Sequence, residues 1–241
     1  MHRVRIIGSG RAGGSLATAL AGMGCVVDIL HRTDDFSSSA HATDILVLAV
    51  PDGAIAEVSL RVDPVEGCPV LHLSGALGLD VLLSHARRGS MHPLVALPDA
   101  TVGAKRLLGA WIAVAGDAAA TTLATLLTDR TFPVPDDRRG LYHAAAAVAS
   151  NHLVALFGQV ERLSHEAGVP LAAFVDLAMG SLHNVADRGA AAALTGPVAR
   201  GDWATVVLHL SSIGEPEREL YLALSHAAAR LAGRHWPESL R

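Results

Sequence analysis

The chain has 241 residues, 51% hydrophobic and 17% charged, with 23 acidic against 19 basic side chains and a formal net charge of −4. That length and apolar content suffice for one large or two modest globular domains. The mild acidity, with basic residues no more clustered than the pairs Arg87-Arg88 and Arg138-Arg139, argues against nucleic acid as a partner, and no apolar run reaches the roughly 18 residues of a membrane span.

A strand begins almost at once, which leaves no room for a signal peptide and predicts a cytoplasmic protein. Two cysteines, Cys25 and Cys68, are too few for a disulfide framework and suit a reducing compartment. Val4, Ile6 and Ile7 form the strand, and Gly8-Ser9-Gly10-Arg11-Ala12-Gly13 follows in G-x-G-x-x-G spacing before an Ala/Leu-rich helical run from Ser15 to Met23. Gly8 permits the turn out of the strand, Gly10 lets backbone approach a pyrophosphate, and Gly13 lets helix and sheet pack closely. Unpaired N–H groups and the positive dipole end of that helix complete a diphosphate cradle.

Further strands are expected at Val26 to Leu30, Asp44 to Val50, Val70 to Leu73, Ser90 to Pro93 and Trp111 to Ala115, with a helix at Ala118 to Leu127. The third is nearly all apolar, as a parallel strand covered on both faces should be. Such alternation predicts a doubly wound sheet whose ligands lie beyond the carboxyl ends of the strands. After the second strand stands His31-Arg32-Thr33. A basic residue there accommodates the extra phosphate of NADP where a carboxylate would bond the ribose of NAD, so the expected cofactor is NADP. Asp28 is the competing residue, but it falls inside the strand. After the third strand, Val50-Pro51-Asp52 turns the chain over the place of a nicotinamide ring. His72 and Ser74 end the fourth strand and His92 the fifth. A histidine at a strand tip is suited to proton transfer beside a hydride, although most of the 13 histidines must be structural. No Cys/His spacing suggests a metal.

Beyond the polar break Asp136 to Gly140 everything reads as helix: Leu141 to His165, Leu171 to Val185, Trp203 to Leu210 and Glu217 to Arg234. A domain boundary is therefore placed at 132/133. On the first long helix, His143, Ala147, Ser150 and Asn151 share a face by the i, i+4, i+7 rule. Ser150 and Asn151 can equally serve as a hydrogen-bonded pair between packed helices. In the loop Leu194 to Asp202, Arg200 is suited to clamp a substrate carboxylate or to form a structural ion pair, with Thr195 nearby, and Asp202 to cap the next helix.

Together, Ile-Gly-Ser-Gly-Arg-Ala-Gly at 7 to 13, Ala-Val-Pro-Asp at 49 to 52, Ser-Met-His-Pro-Leu at 90 to 94, Tyr-His-Ala-Ala-Ala-Ala-Val-Ala-Ser-Asn at 142 to 151 and Leu-Thr-Gly-Pro-Val-Ala-Arg-Gly-Asp at 194 to 202 resemble the Rossmann-like, DUF2520-containing proteins. That group is similar to the wider 6-phosphogluconate-dehydrogenase-like enzymes, among them ketopantoate reductase, pyrroline-5-carboxylate reductase, F420-dependent NADP reductase and prephenate dehydrogenase. The resemblance implies an α/β chain with an N-terminal doubly wound Rossmann NADP domain over 1–132. It also implies an all-α 6-phosphogluconate-dehydrogenase-like domain over 133–241 that forms a homodimer, and a substrate cleft between them.

One departure matters. Hydroxyacid dehydrogenases and ketopantoate reductase protonate the carbonyl oxygen with a lysine on the interdomain helix, whereas the only lysine here is Lys105, outside that helix. Another group must then act, because an unprotonated alkoxide is costly. His143 is the expected donor, with Ser150 and Asn151 orienting and His92 lining the site. The expected activity is NADP-dependent hydride transfer to or from a small carbonyl compound, such as a ketopantoate-like 2-oxo acid. Imine reduction, which needs less help with the proton, is the alternative, and a non-catalytic NADP-binding sensor or assembly protein is the third reading.

Overall fold

The computed structural model describes residues 2–240 and divides into two compact units, one ending at Ser150 and one beginning at Asn151. In the first unit, β1 (Arg3–Ile7), β2 (Val26–Leu30), β3 (Ile45–Leu48), β4 (Val70–His72), β5 (Arg88–Pro93), β6 (Ile112–Gly116) and β7 (Thr131–Pro133) form one sheet in the order β2-β1-β3-β4-β5-β6-β7. The helices α1 (Arg11–Gly22), α2 (Asp52–Leu60), α3 (Ala100–Leu107), α4 (Ala118–Thr125) and α5 (Arg139–Ala147) accompany it. This is the doubly wound α/β architecture expected from the alternation of strands and helices.

Two apolar clusters flank the sheet. Val4, Ile6, Leu16, Leu20, Val47, Leu71, Met91 and Leu123 belong to one, while Ile7, Leu46, Leu48, Ile55, Val70 and Leu82 belong to the other. Successive residues of a strand point to opposite faces, so Leu46 and Leu48 enter one cluster and Ile45 and Val47 the other. All four residues of β3 are buried, which explains its unbroken apolar run. The chain order reverses at β1, between β2 on one side and β3 on the other. The glycine turn after β1 therefore opens at the topological switch point.

Strand direction departs from the expectation at one place: β6 runs antiparallel to β5, with His92 opposite Ala113. The cause lies in the connection. The excursion that carries α3 closes on itself, with the Leu94 amide donating to the Trp111 carbonyl at 2.8 Å. The chain re-enters the sheet where it left, so the next strand must run back. A parallel neighbour would need a crossover spanning the strand's length. Within the excursion, α3 packs against α1, Asp99 caps α3 through bonds of 2.9 and 2.8 Å from the Thr101 and Val102 amides, and Ser15 Oγ donates to the Asp99 carbonyl at 3.1 Å.

The last strand ends at Pro133, and the first unit runs on through α5 to Ser150. The single long helix expected from Leu141 to His165 is α5 and α6 (Leu153–Glu166) joined by a π-helical turn, Val148–His152. In the second unit, α7 (Leu171–Arg188), α8 (Ala190–Ala193), α9 (Pro197–Arg200), α10 (Trp203–Ser212) and α11 (Glu215–Leu231) follow α6. Its small core gathers Val206, Ala229 and Trp236, while α7 buries none of its residues and leaves Val175, Leu177, Met179, Leu182 and Val185 exposed. Among the described residues no helix is long and apolar enough to cross a membrane.

Candidate functional site

Gly8 adopts φ +112°, a conformation a side chain rarely takes, and a Cβ there would meet the Ala49 carbonyl oxygen of the neighbouring strand end. At Gly13 a Cβ would drive into the Gly8 carbonyl, so the α1 backbone rests directly on the turn. Gly10 is different. Nothing lies within 4 Å of the Cβ it lacks, and as N-cap of α1 it offers no capping side chain. The first amides of α1 thus face open space over a short loop, which fits a diphosphate. Ser9, Arg11 and Ala12 lie on this loop or at the helix start. His31 reaches it, with Nδ1 2.9 Å from Ser9 Oγ, and Arg32 and Thr33 are exposed beside His31. Asp28 lies mid-strand opposite Arg5 and forms an ion pair with it at 3.5 Å, which accounts for a carboxylate in β2 without a ribose.

The loops after β3 and β4 are tied together. Pro51 precedes the first residue of α2, Asp52, whose carboxylate accepts from Ser74 Oγ at 2.6 Å; Val50 is half-buried just before them. Ser74 Oγ also accepts from the Ala76 and Leu77 amides at 3.2 and 3.0 Å, so the hydroxyl is fully used in shaping this turn. His72 is buried with both ring nitrogens engaged. The Ser74 amide donates to Nδ1 at 3.2 Å, which leaves the proton on Nε2, 3.2 Å from the Gly78 carbonyl. The structure therefore gives His72 the task of holding the 72–78 loop.

Burial, and secondarily the Arg139 charge, push the His72 pKa down to about 4 from an ordinary 6.5. As pH falls below about 6.5 the unfolded chain takes up the proton first, so stability is complete above that pH and is lost towards pH 4. The depression corresponds to about 3 kcal/mol from this ring. His72→Gln should accordingly flatten the fall of Tm between pH 7 and 4.5, though not abolish it, because His92 contributes in the same direction. Parallel wild-type and variant curves would sink the assignment.

Arg139 opens α5 and is 1% exposed. Its guanidinium bonds Asp136 at 3.0 Å, the Ser74 carbonyl at 3.4 Å and Ser90 Oγ, joining the loop after β4 and the middle of β5 to the start of the helix. One turn along α5, Tyr142 places its hydroxyl 2.6 Å from His92 Nδ1, and the His143 ring stands 6.0 Å from that of His92. Gly75 makes room for both histidines, since an added Cβ would come within 2.8 Å of each ring. Burial is the main cause holding the His92 pKa near 4, with His143 and Arg139 adding to it; burial raises that of Tyr142. A neutral imidazole and a neutral phenol therefore meet at the strand ends.

Of the expected residues, the structure brings together Ser9 with His31, Ser74 with both Asp52 and His72, and His92 with His143. Ser150 stands at the end of the first unit and Asn151 at the start of the second, both within the π turn. That wider turn changes the phase between them and His143, so the i, i+7 rule does not carry across it. Thr195 and Arg200 belong to the second unit and are exposed, Arg200 as the last residue of α9 before Gly201. Asp202 does cap α10, accepting from the Thr205 amide at 3.2 Å and hydroxyl at 2.8 Å. Arg139, Tyr142 and Gly75 were not singled out from sequence. The one available signal was that Arg139 and Tyr142 stand a helical turn apart on the face that also carries His143.

Residues 113–228 match the model of DUF2520, a domain of unknown function. Comparison with curated proteins found no match. Among solved structures, a protein of Bacteroides fragilis described as a candidate NADP oxidoreductase is 19% identical with a TM-score of 0.79, over 95% of this chain and 98% of that one. The reductive aminase of Aspergillus terreus in complex with NADPH4, cyclohexanone and allyl amine is 17% identical, TM-score 0.63, over 98% and 88%. Plasmodium falciparum pyrroline carboxylate reductase with NADP bound is 11% identical, TM-score 0.61, over 96% and 98%. At these identities the likeness is one of fold. The chain thus has the Rossmann-type fold of those reductases, and within it residues 113–228 carry the DUF2520 match.

Proposed function

We propose that this chain is an NADP-dependent oxidoreductase transferring hydride to or from a small carbonyl compound such as a 2-oxo acid. The observation that carries the reading is the open glycine cradle at the switch point of the sheet, with the His92, Tyr142 and His143 cluster at the neighbouring strand ends. Gly8 to Gly13 would hold the diphosphate, Arg32 with His31 and Thr33 the phosphorylated ribose, and Val50, Pro51, Asp52 and Ser74 the nicotinamide side. When bound, the dinucleotide supplies the hydride. The chain's own residues supply orientation, exclusion of water and the proton. The proton comes from the cluster of His92, Tyr142 and His143 at the carboxyl end of β5.

Imine reduction is the second reading. It is favoured by the absence of a lysine from α5 and α6 and by the likeness to a reductive aminase and a pyrroline carboxylate reductase. The exposed apolar side chains of α7 support a homodimer through the helical region, for which light scattering should give twice 24.9 kDa.

The test is a thermal-shift titration followed by turnover. NADPH at a hundredfold excess over its Kd should add about 2.7 kcal/mol of apparent stability, and at equal concentration it should raise Tm more than NADH does. Arg32→Ala should remove the preference through a loss of about tenfold in NADPH affinity. NADPH should then be consumed with some member of a panel of 2-oxo acids and cyclic imines. No binding of either dinucleotide at millimolar concentration would sink the proposal, and binding without turnover would leave only a sensor.

A further inference from the structure

Tyr142 is the side chain that His92 touches, and its position is set by packing on two sides. Its ring meets His92 edge-on at 5.6 Å and Phe132 of β7 at 5.9 Å, with Trp111 a further 6.1 Å beyond Phe132. Aromatic residues make up only 4% of the chain, so this row concentrates a scarce resource at one place. The hydroxyl then lies 2.6 Å from His92 Nδ1 at the carboxyl end of β5, and the His92 and His143 rings pack against Gly75, where a Cβ would come within 2.8 Å of each. Beneath it sits the fully buried Arg139, whose charge favours the Tyr142 phenolate against the opposing effect of burial.

We propose that Tyr142 is the residue that exchanges the proton with the substrate oxygen, and that His92 is the positioning residue that aims the hydroxyl and restores its proton. The assignment rests on the reductase reading and names the terminal proton donor within that site. As the carbonyl carbon is reduced, the π pair becomes a lone pair on oxygen. The Tyr142 O–H bond breaks and a substrate O–H bond forms. The phenolate then takes the proton on His92 Nδ1 while Nε2 takes one from solvent. His92 ends neutral in its other tautomer, which suits a ring held neutral by burial. For an imine the same proton goes to nitrogen. The dinucleotide is oxidised and the substrate reduced, with one proton drawn from water.

The chain supplies an internal control. It has two tyrosines, and the second, Tyr221, makes the same kind of pair with His209 at 2.8 Å inside the helical unit. Protein labelled with 13Cζ-tyrosine should show two resonances, assigned with Tyr221→Phe. His92→Ala should move the Tyr142 resonance and its titration and leave Tyr221 in place, in the protein without cofactor. With a substrate from the panel, Tyr142→Phe should lower kcat by roughly 100- to 10,000-fold while KM and NADPH affinity stay within about threefold. His92→Asn, which keeps a polar atom near the place of Nδ1, should retain more activity than His92→Ala. An unmoved Tyr142 resonance in His92→Ala, or a folded Tyr142→Phe protein turning over at the wild-type rate, overturns this proposal alone. A wild-type chain that reduces nothing overturns the reductase reading as well.

Discussion

Arg139→Ala should lower the unfolding free energy by about 3 kcal/mol, as measured by denaturant titration. The side chain is almost wholly enclosed, and alanine would leave a void where a long side chain now packs, together with two acceptors, Ser90 Oγ and the Ser74 carbonyl, that lose their donor. Asp136 contributes little to that loss, since about half of its side chain is already in solvent and it keeps its bond from the Leu79 amide at 3.0 Å. Lysine should restore only a small part, because an ammonium cannot reach three acceptors with the guanidinium's planar fork. The change should also raise the His92 pKa from about 4 towards its ordinary value, as a nearby positive charge disappears. A loss below about 1 kcal/mol would mean that β5 and the loop after β4 are held to α5 by something else.

Gly13→Ala should lower both stability and NADPH binding, whereas Gly10→Ala should lower binding alone. A methyl at Gly13 meets the Gly8 carbonyl and lies 3.1 Å from Ala49 Cβ, so α1 must back away from the strands it rests on. Such overpacking costs about 1–3 kcal/mol, and the displaced amides should weaken NADPH binding by roughly a hundredfold or more. Gly10→Ala meets nothing within 4 Å and should leave Tm nearly unchanged. Its methyl would nevertheless occupy the space into which a diphosphate must fit. Tight NADPH binding by both variants would remove the glycine turn from the site.

The N-terminal third was legible because several constraints coincide within a few residues. An apolar strand, a turn that needs positive φ and a helix that needs close contact leave little choice for Gly8 to Gly13. Strand β3 was legible for a similar reason, being buried on both faces. The direction of β6 was not, since it depends on whether the chain around α3 closes on its starting point, which the Leu94 to Trp111 bond decides across the whole excursion. Arg139 and Gly75 escaped for the same cause. Arginine in a polar break looks like a surface residue, and glycine after a strand looks like a turn, until residues distant in sequence are placed against them. The helical-face reading of His143 with Ser150 and Asn151 assumed 3.6 residues per turn throughout, and the π turn at Val148–His152 breaks that period locally.

An open sheet exposes two rims of unpaired amides and carbonyls that invite strands from other molecules. Here one rim is β2, where the ion pair of Asp28 with Arg5 places charged groups in mid-strand. The other is β7, a three-residue strand whose last member, Pro133, has no amide hydrogen to give. Fibrous growth by edge-to-edge stitching is therefore disfavoured at both borders, which protects a chain this rich in apolar residues during synthesis and refolding.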